Sequence, residues 1–497
     1  MTATLNSLGL FGAEFDWRGP ECDGGSVVTA LHVDSRGVTQ GSLFAALMGE
    51  ATDGAKFVPM AVQKGAGYLL GSAEGFETAR ELLGGMPVPF LVTDDPRRML
   101  ALIAERFFEA QPEVIVATTG TNGKTSVASF ARQIFTACGR SAASFGTVGV
   151  EGAVTRPLAH TTPEPITLHG LLADLAEAGV THAAMEASSH GLEQRRLDGV
   201  RLSAGAMTNI TRDHLDYHKT FEDYLGAKLR LFTALLPEGA PAVLNADDPY
   251  FEYTRDAALS AGLTVIPTGR DEVARAGLRL IDARFDAAGQ ELDLEWLGDP
   301  VTVRLDLIGG FQGLNVLTAA ALAMACGERP ELVFATMPAL TGVRGRMEHV
   351  ATRKNGARIY VDYSHTPDGL ATALAALRLH TPDRLIAVFG AGGDRDAGKR
   401  PEMGAAAAIG ADAVIVTDDN PRTEDPGPIR QAILAACPNA IEISDRAEAI
   451  LTAVDALSPQ DRLLIAGKGH ETGQIIGDQV LPFDDAEQAR AAVAILD

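Results

Sequence analysis

The chain has 497 residues, 46% hydrophobic and 22% charged, with 42 basic against 65 acidic side chains and a formal charge of −23. That length exceeds one ordinary core and fits two to three α/β domains. So acidic a balance excludes a general nucleic-acid or anionic-membrane binder and leaves small anionic ligands to a local basic site.

In chain order, the opening MTATLNSLGLFGAEFDWRGPE has neither a basic n-region nor a long apolar run, so no signal peptide and no membrane insertion are expected. The runs SVVTALHVD, GYLLGS and PFLVTD predict a small α/β domain over residues 1–95. Four apolar runs then end in polar clusters: EVIVATTG into TNGKT, HAAME into ASSHG, AGAMTN into ITRDH, PAVLN into ADDP. They predict a central domain over 96–343. Four more, RIYVDY into SHTPD, LIAVFG into AGGDRD, AVIVTD into DNPR and LLIAG into KGHE, predict a third domain over 344–497. Helix-compatible Ala/Leu-rich runs alternate with these strands, the α/β pattern. Ligands of open parallel sheets bind beyond the carboxyl ends of strands, so two ligand-facing sheet edges with a cleft between the domains are expected. The four cysteines, Cys22, Cys138, Cys326 and Cys437, form no CxxC pair, which fits a reducing cytoplasm without zinc or disulfides.

The segment EVIVATTGTNGKT carries the first chemistry. Gly120 and Gly123 let backbone N–H groups face phosphate oxygens, Lys124 neutralises phosphate charge, and the Thr125 hydroxyl suits Mg²⁺ at a helix start. Thr121, Asn122 and Ser126 complete the predicted ATP loop. Thr118 stands where the usual GxxxxGK[ST] pattern has its first glycine. A chance Gly-rich turn is the alternative; the strand before and the helix after argue against it.

Further on, Phe221, Leu225, Leu229 and Phe232 recur at helical spacing, and Lys228 shares their stripe. A buried lysine is costly unless paired or chemically changed. Snorkelling to water is the ordinary outcome, but the preceding TNITRDH is rich in metal- and phosphate-type ligands. His32, His160, His169 and His380 read as surface or structural, and Trp17 and Trp296 carry no motif.

Together DSR, TGTNGKT, HTTPEP, MEASSHGLEQRR, TNITRDHLDYHKTFEDYLGAKLRLF, GRMEHV, DYSHTPDG, GGDRDAGKR, DNPR and GKGHE resemble the Mur ligases of peptidoglycan synthesis, in order from Asp34 to Glu471. The resemblance implies three α/β domains: an N-terminal uridine-nucleotide domain, a central P-loop ATPase-like domain and a C-terminal Rossmann-like domain. It implies a cytoplasmic, monomeric enzyme using ATP and Mg²⁺ to join meso-diaminopimelate to UDP-N-acetylmuramoyl-L-Ala-D-Glu. It assigns Ser35 to the uridine nucleotide, and Thr161, Thr162, Ser188, Gln194 and Arg196 to the muramoyl-peptide. Glu186 and His214 become metal-site residues beside Thr125, and Lys228 becomes a carbamate, an anion that orients Mg²⁺. Lys124, Lys228, His214 and Glu186 form the catalytic set. Asn315, Arg346 and Asp362 match nucleotide contacts; Arg395, Asp419, Asn420, Pro421, Arg422, Gly467 and Glu471 match the diaminopimelate site. Gln312 departs from the family's frequent asparagine.

The implied chemistry is coherent. ATP would phosphorylate the D-glutamate side-chain carboxyl, a step governed by positioning and charge neutralisation. The amine must then attack while neutral; His214 and the Lys228 carbamate are both candidate bases. Arg422 would clamp the distal carboxylate and Glu471 the ammonium of diaminopimelate, so lysine would leave Arg422 unpaired. DNPR also suits a plain type I turn. The competing readings are a lysine-adding or later-step muramoyl ligase, a folylpolyglutamate synthase, an ATP-binding switch without ligation, and a small-molecule kinase.

Overall fold

The computed structural model describes residues 1–49, 52–211, 213 and 217–497. The chain forms two compact units: Met1–Lys124, Phe135–Ile266 and Ala325–Gly327 in one, Thr125–Ile134, Pro267–Met324 and Glu328–Asp497 in the other.

The first unit contains two main sheets. The N-terminal one runs Asp16–Arg18, Phe90–Val92, Tyr68–Gly71, Leu43–Ala45, Leu31–His32, parallel except for its first pair. Its strands are apolar on both faces: Leu43, Ala45, Leu70 and Leu91 enter one core, and Phe44, Ala46, Leu69 and Phe90 enter the other. Alternate residues of a strand point to opposite faces, so continuous apolar runs mark a sheet covered on both sides.

The second sheet starts at one edge with Gly149–Gly152, Ala142–Gly146, His182–Glu186, Val114–Thr119, Ala204–Met207 and Pro241–Asn245. Its first pair is a hairpin and the next four pairs are parallel. Register sets Glu186 beside Thr118 and Met207 beside Thr119, so the polar strand ends read from sequence lie side by side. The crossover helix Pro165–Glu177 starts where Glu164 accepts from the amides of Ile166 and Thr167, with Pro165 at the first position.

In the second unit a six-stranded sheet runs Glu348–Thr352, Arg358–Asp362, Arg462–Ala466, Leu385–Phe389, Ala413–Val416, Ile441–Glu442. All but the first pair are parallel. Tyr360, Leu464, Ala387 and Phe389 face one core and Ile359, Val361, Ile465 and Val388 the other. An antiparallel meander of Leu278–Phe285, Gln290–Trp296 and Asp299–Leu305 precedes the long helix Gly310–Ala325. A short hairpin pairs Gly473–Ile476 with Gln479–Pro482. No helix among the described residues is long and apolar enough to cross a membrane.

Candidate active site

The phosphate loop hangs from the carboxyl end of Val114–Thr119, and the next helix, Lys124–Ala137, begins at the loop lysine. Gly120 and Gly123 have φ of +141° and +90°, a region that disfavours a side chain. Gly120 is further constrained because a Cβ would stand 1.9 Å from Thr208 Oγ1. The loop is held from behind: Asn122 N–H donates to Asn209 Oδ1 (2.9 Å), Thr121 N–H to the Asn209 carbonyl (2.8 Å), and Thr208 Oγ1 to the Asn122 carbonyl (2.6 Å). Lys124 Nζ curls onto the carbonyls of Gly120 and Thr121 at 2.8 and 2.9 Å. Thr125 and Ser126 follow, both buried, in the first helical turn.

Lys228 comes to this loop from the helix Phe221–Arg230, which Thr220 caps by accepting from the Asp223 amide. It is 1% exposed and does not snorkel. Its Nζ donates to the Gly120 carbonyl at 2.7 Å and lies 4.6 Å from the centre of the Tyr224 ring. Burial, then the like charge of Lys124, pushes its ammonium well below the usual range, with Asp213 opposing. Tyr224 in turn meets Thr121 Oγ1 at 2.8 Å. A π turn at Leu231–Leu235 follows this helix.

Around the end of His182–Glu186 the predicted peptide-binding residues form one network. Glu186 is buried, its Oε1 accepting from the Thr147 amide at 2.7 Å and its Oε2 from Thr147 Oγ1 at 3.2 Å. Thr161 Oγ1 lies 3.1 Å from the same hydroxyl. Thr162 Oγ1 donates to the Glu186 carbonyl and accepts from the Ser188 amide, while Ser188 Oγ caps the short helix Ser189–Glu193. Arg196 donates to the Thr162 carbonyl at 2.6 Å and to Gln194 Oε1 at 2.8 Å. Gln194 reaches Tyr217. Ser35 is buried near Met60 in the N-terminal part and joins none of these bonds among the described residues. His214 lies outside the described residues.

The second unit builds a different corner. Asp362 Oδ2 accepts from the Met347 amide at 2.7 Å and Oδ1 from Ser364, and the Arg346 guanidinium lies 4.6 Å from the centre of the Tyr363 ring. Asn315, on Gly310–Ala325, donates to Gln312 Oε1 at 3.0 Å, so the two amides act as a buried pair. At the neighbouring strand ends, Asn420 donates to Glu471 Oε2 at 2.9 Å and accepts from Lys468 at 2.7 Å. Gly467 has φ of +115°, and a Cβ there would stand 2.5 Å from Asp419 Oδ2. Arg422 is a non-glycine residue at φ +52°, clamped by the hairpin: its N–H donates to the Ile475 carbonyl and its carbonyl accepts from Gly477. Its guanidinium donates to the Gly393 carbonyl at 2.8 Å, so DNPR is more than a simple type I turn. Pro421 is buried behind it. Arg395 is exposed on a loop tied to DNPR through Asp394 and Thr423. Beneath the corner, Arg446 and Asp485 form a fully buried two-bond pair.

Sequence reasoning passed over Thr147, Asn209, Tyr224 and Lys468. Asn209, Tyr224 and Lys468 stood inside quoted motifs and were findable; Thr147 meets Glu186 only through sheet pairing. His169 and His380 prove structural, bonded to the carbonyls of Asp198 and Asp286.

A phosphate loop beside a buried lysine, with a separate corner of fixed carboxylates and an arginine, is the equipment of a ligase that activates one substrate and selects another. The chain belongs to the Mur ligase family. Family models match at residues 27–108 (Mur ligase family, catalytic domain), 118–323 (Mur ligase middle domain) and 345–469 (Mur ligase, glutamate ligase domain). It is similar to a UDP-N-acetylmuramoyl-L-alanyl-D-glutamate–2,6-diaminopimelate ligase of Bradyrhizobium diazoefficiens, 52% identical over 94% of this chain and 95% of that protein. A protein of the same name from Brucella melitensis is 50% identical, over 94% of each. A solved structure bearing this name is 32% identical with a TM-score of 0.74, covering 100% of this chain and 99% of that one.

Proposed function

We propose that this ligase adds meso-diaminopimelate to the D-glutamate side-chain carboxyl of UDP-N-acetylmuramoyl-L-Ala-D-Glu through an acyl phosphate, with ATP converted to ADP. The observation that carries the reading is Lys228, a buried lysine held against the phosphate loop with its ammonium disfavoured. A neutral amine is the form that takes up CO₂ to become a carbamate, losing one proton. Mg²⁺ favours oxygen ligands, which the Thr125 hydroxyl, the Glu186 carboxylate and the Lys228 carbamate would offer, whereas His214 would bring a nitrogen. When bound, Mg²⁺ would neutralise charge on the transferring phosphate.

In this reading Gly120–Ser126 hold the triphosphate, with Lys124 turning from its loop carbonyls to phosphate oxygens. Asn315, Arg346 and Asp362 hold the nucleoside. Thr161, Thr162, Ser188, Gln194 and Arg196 orient the peptide, and Ser35 the uridine end. Arg422 and Arg395 read carboxylate, and Glu471 ammonium, on the incoming amino acid, with Asp419, Asn420, Pro421 and Gly467 shaping that corner. The domain borders follow at 95/96 and 343/344, and the enzyme works as a cytoplasmic monomer.

The test is ADP release with UDP-N-acetylmuramoyl-L-Ala-D-Glu, adding meso-diaminopimelate or L-lysine in parallel. Stimulation by diaminopimelate, with product mass showing one added residue, is expected. Stimulation by lysine alone would keep a ligase and overturn the assignment of Arg422. Active ATPase stimulated by neither amine would favour a switch or another ligase of the superfamily.

A further inference from the structure

The turn after Arg462–Ala466 holds a lysine with no exposed surface. Lys468 Nζ lies 2.7 Å from Asn420 Oδ1 and 3.5 Å from Glu471 Oε2. Asn420 Oδ1 also accepts the Ile475 main-chain N–H at 2.9 Å. An amide oxygen facing two donors cannot trade places with its nitrogen, because a flip would set NH₂ against an ammonium and an N–H. The Asn420 nitrogen is thereby aimed at Glu471 Oε2. Both inward donors fall on that one carboxylate oxygen, and the Glu471 side chain stays about a third exposed, at 34%. Among the described residues no hydrogen bond reaches Glu471 Oε1.

We infer that Lys468 is a positioning residue for ammonium recognition: it locks the Asn420 amide and turns Glu471 so that Oε1 is the oxygen offered to the incoming amino acid. The inference rests on the diaminopimelate reading above. Lys468 reads no substrate atom itself. Its cation holds one oxygen of Glu471 inward, and the fixed geometry lets the other distinguish a ligand that carries a distal ammonium from one that does not. Such preorganisation matters because a buried donor left unmatched costs more than an average hydrogen bond contributes.

The experiment compares meso-diaminopimelate with 2-aminopimelate, which keeps both carboxylates but lacks the distal ammonium, in the full-length enzyme. The wild type should prefer diaminopimelate in kcat/KM. Lys468→Met should shrink that preference by about tenfold to a hundredfold, the effect of losing a charge-assisted hydrogen bond, with KM for ATP shifted by less than about threefold. Lys468→Gln, which keeps a donor for Asn420, should fall between them. It carries the same test should the methionine variant not fold. An undiminished preference in folded variants would overturn the inference. So would a proportional loss for both amino acids and ATP, the mark of a purely structural lysine. A wild type whose ADP release ignores diaminopimelate would instead sink the functional reading on which the inference stands.

Discussion

The two units each bury a lysine at the carboxyl edge of a parallel sheet, and the two lysines are surrounded in opposite ways. Lys228 meets a carbonyl and an aromatic face, and after burial the repelling Lys124 acts on it most, with Asp213 opposing. Lys468 meets an amide oxygen and a carboxylate, and Asp419 and Glu471 favour its charge while Arg446 opposes it. Burial lowers both, yet among the described residues only the second has a carboxylate within contact, Glu471 at 3.5 Å. A low-dielectric site that repels a cation favours the neutral amine, which is a nucleophile. A site that pairs a cation makes it a fixed piece of architecture. Chain position and residue type are the same kind of signal in both cases; the neighbours decide the role.

The contrast is open to attack from its largest consequence downwards. Lys228→Ala should lower kcat on the order of a thousandfold, the scale of lost electrostatic support for a developing charge. Short carboxylic acids such as acetate should restore part of it by supplying the missing anion. Full activity in the variant would remove the carbamate from the reaction, and loss without rescue would leave Lys228 as packing only. Arg422→Ala comes next: KM for diaminopimelate should rise about a hundredfold with little change for ATP. Equal damage to both would point to a collapsed corner, since the clamped left-handed backbone at Arg422 also supports the hairpin.

The smallest effect concerns a buried base outside the reaction, bonded to the Asp198 carbonyl. Burial pulls His169 down to about 4 from its ordinary 6.5. Its folded value is depressed, so between about pH 6.5 and 4 the unfolded chain binds more protons and stability falls with falling pH. The slope reaches at most about 1.4 kcal/mol per pH unit and levels off below pH 4. Denaturant midpoints of wild type and His169→Asn across that window should diverge at neutral pH and converge in acid. A constant gap would show that His169 does not titrate on unfolding.

Much of the site was legible because its chemistry is carried by short contiguous motifs. The phosphate loop needs glycines, a lysine and a helix start in one stretch, and Lys228 betrayed itself as a charge on an apolar stripe. DNPR and GKGHE announced polar strand ends, and continuous apolar runs announced sheets covered on both faces. Other features left no such trace. The antiparallel meander at Leu278–Leu305 lies outside those motifs, although QELDLEW and PVTVRL alternate apolar and polar residues, and the hairpin that clamps Arg422 is short and exposed.

The sequence by itself determined the α/β class, the phosphate loop and the residue types at each strand end, because local backbone preference and hydrophobic period act over a few residues. Only the tertiary structure decided which of these ends are neighbours. Parallel pairing joins strands far apart in the chain and set Glu186 against Thr147, while helix and loop packing set Lys228 on the Gly120 carbonyl and Lys468 between Asn420 and Glu471. The charge state and task of a buried group follow from such contacts, which no single stretch of sequence contains.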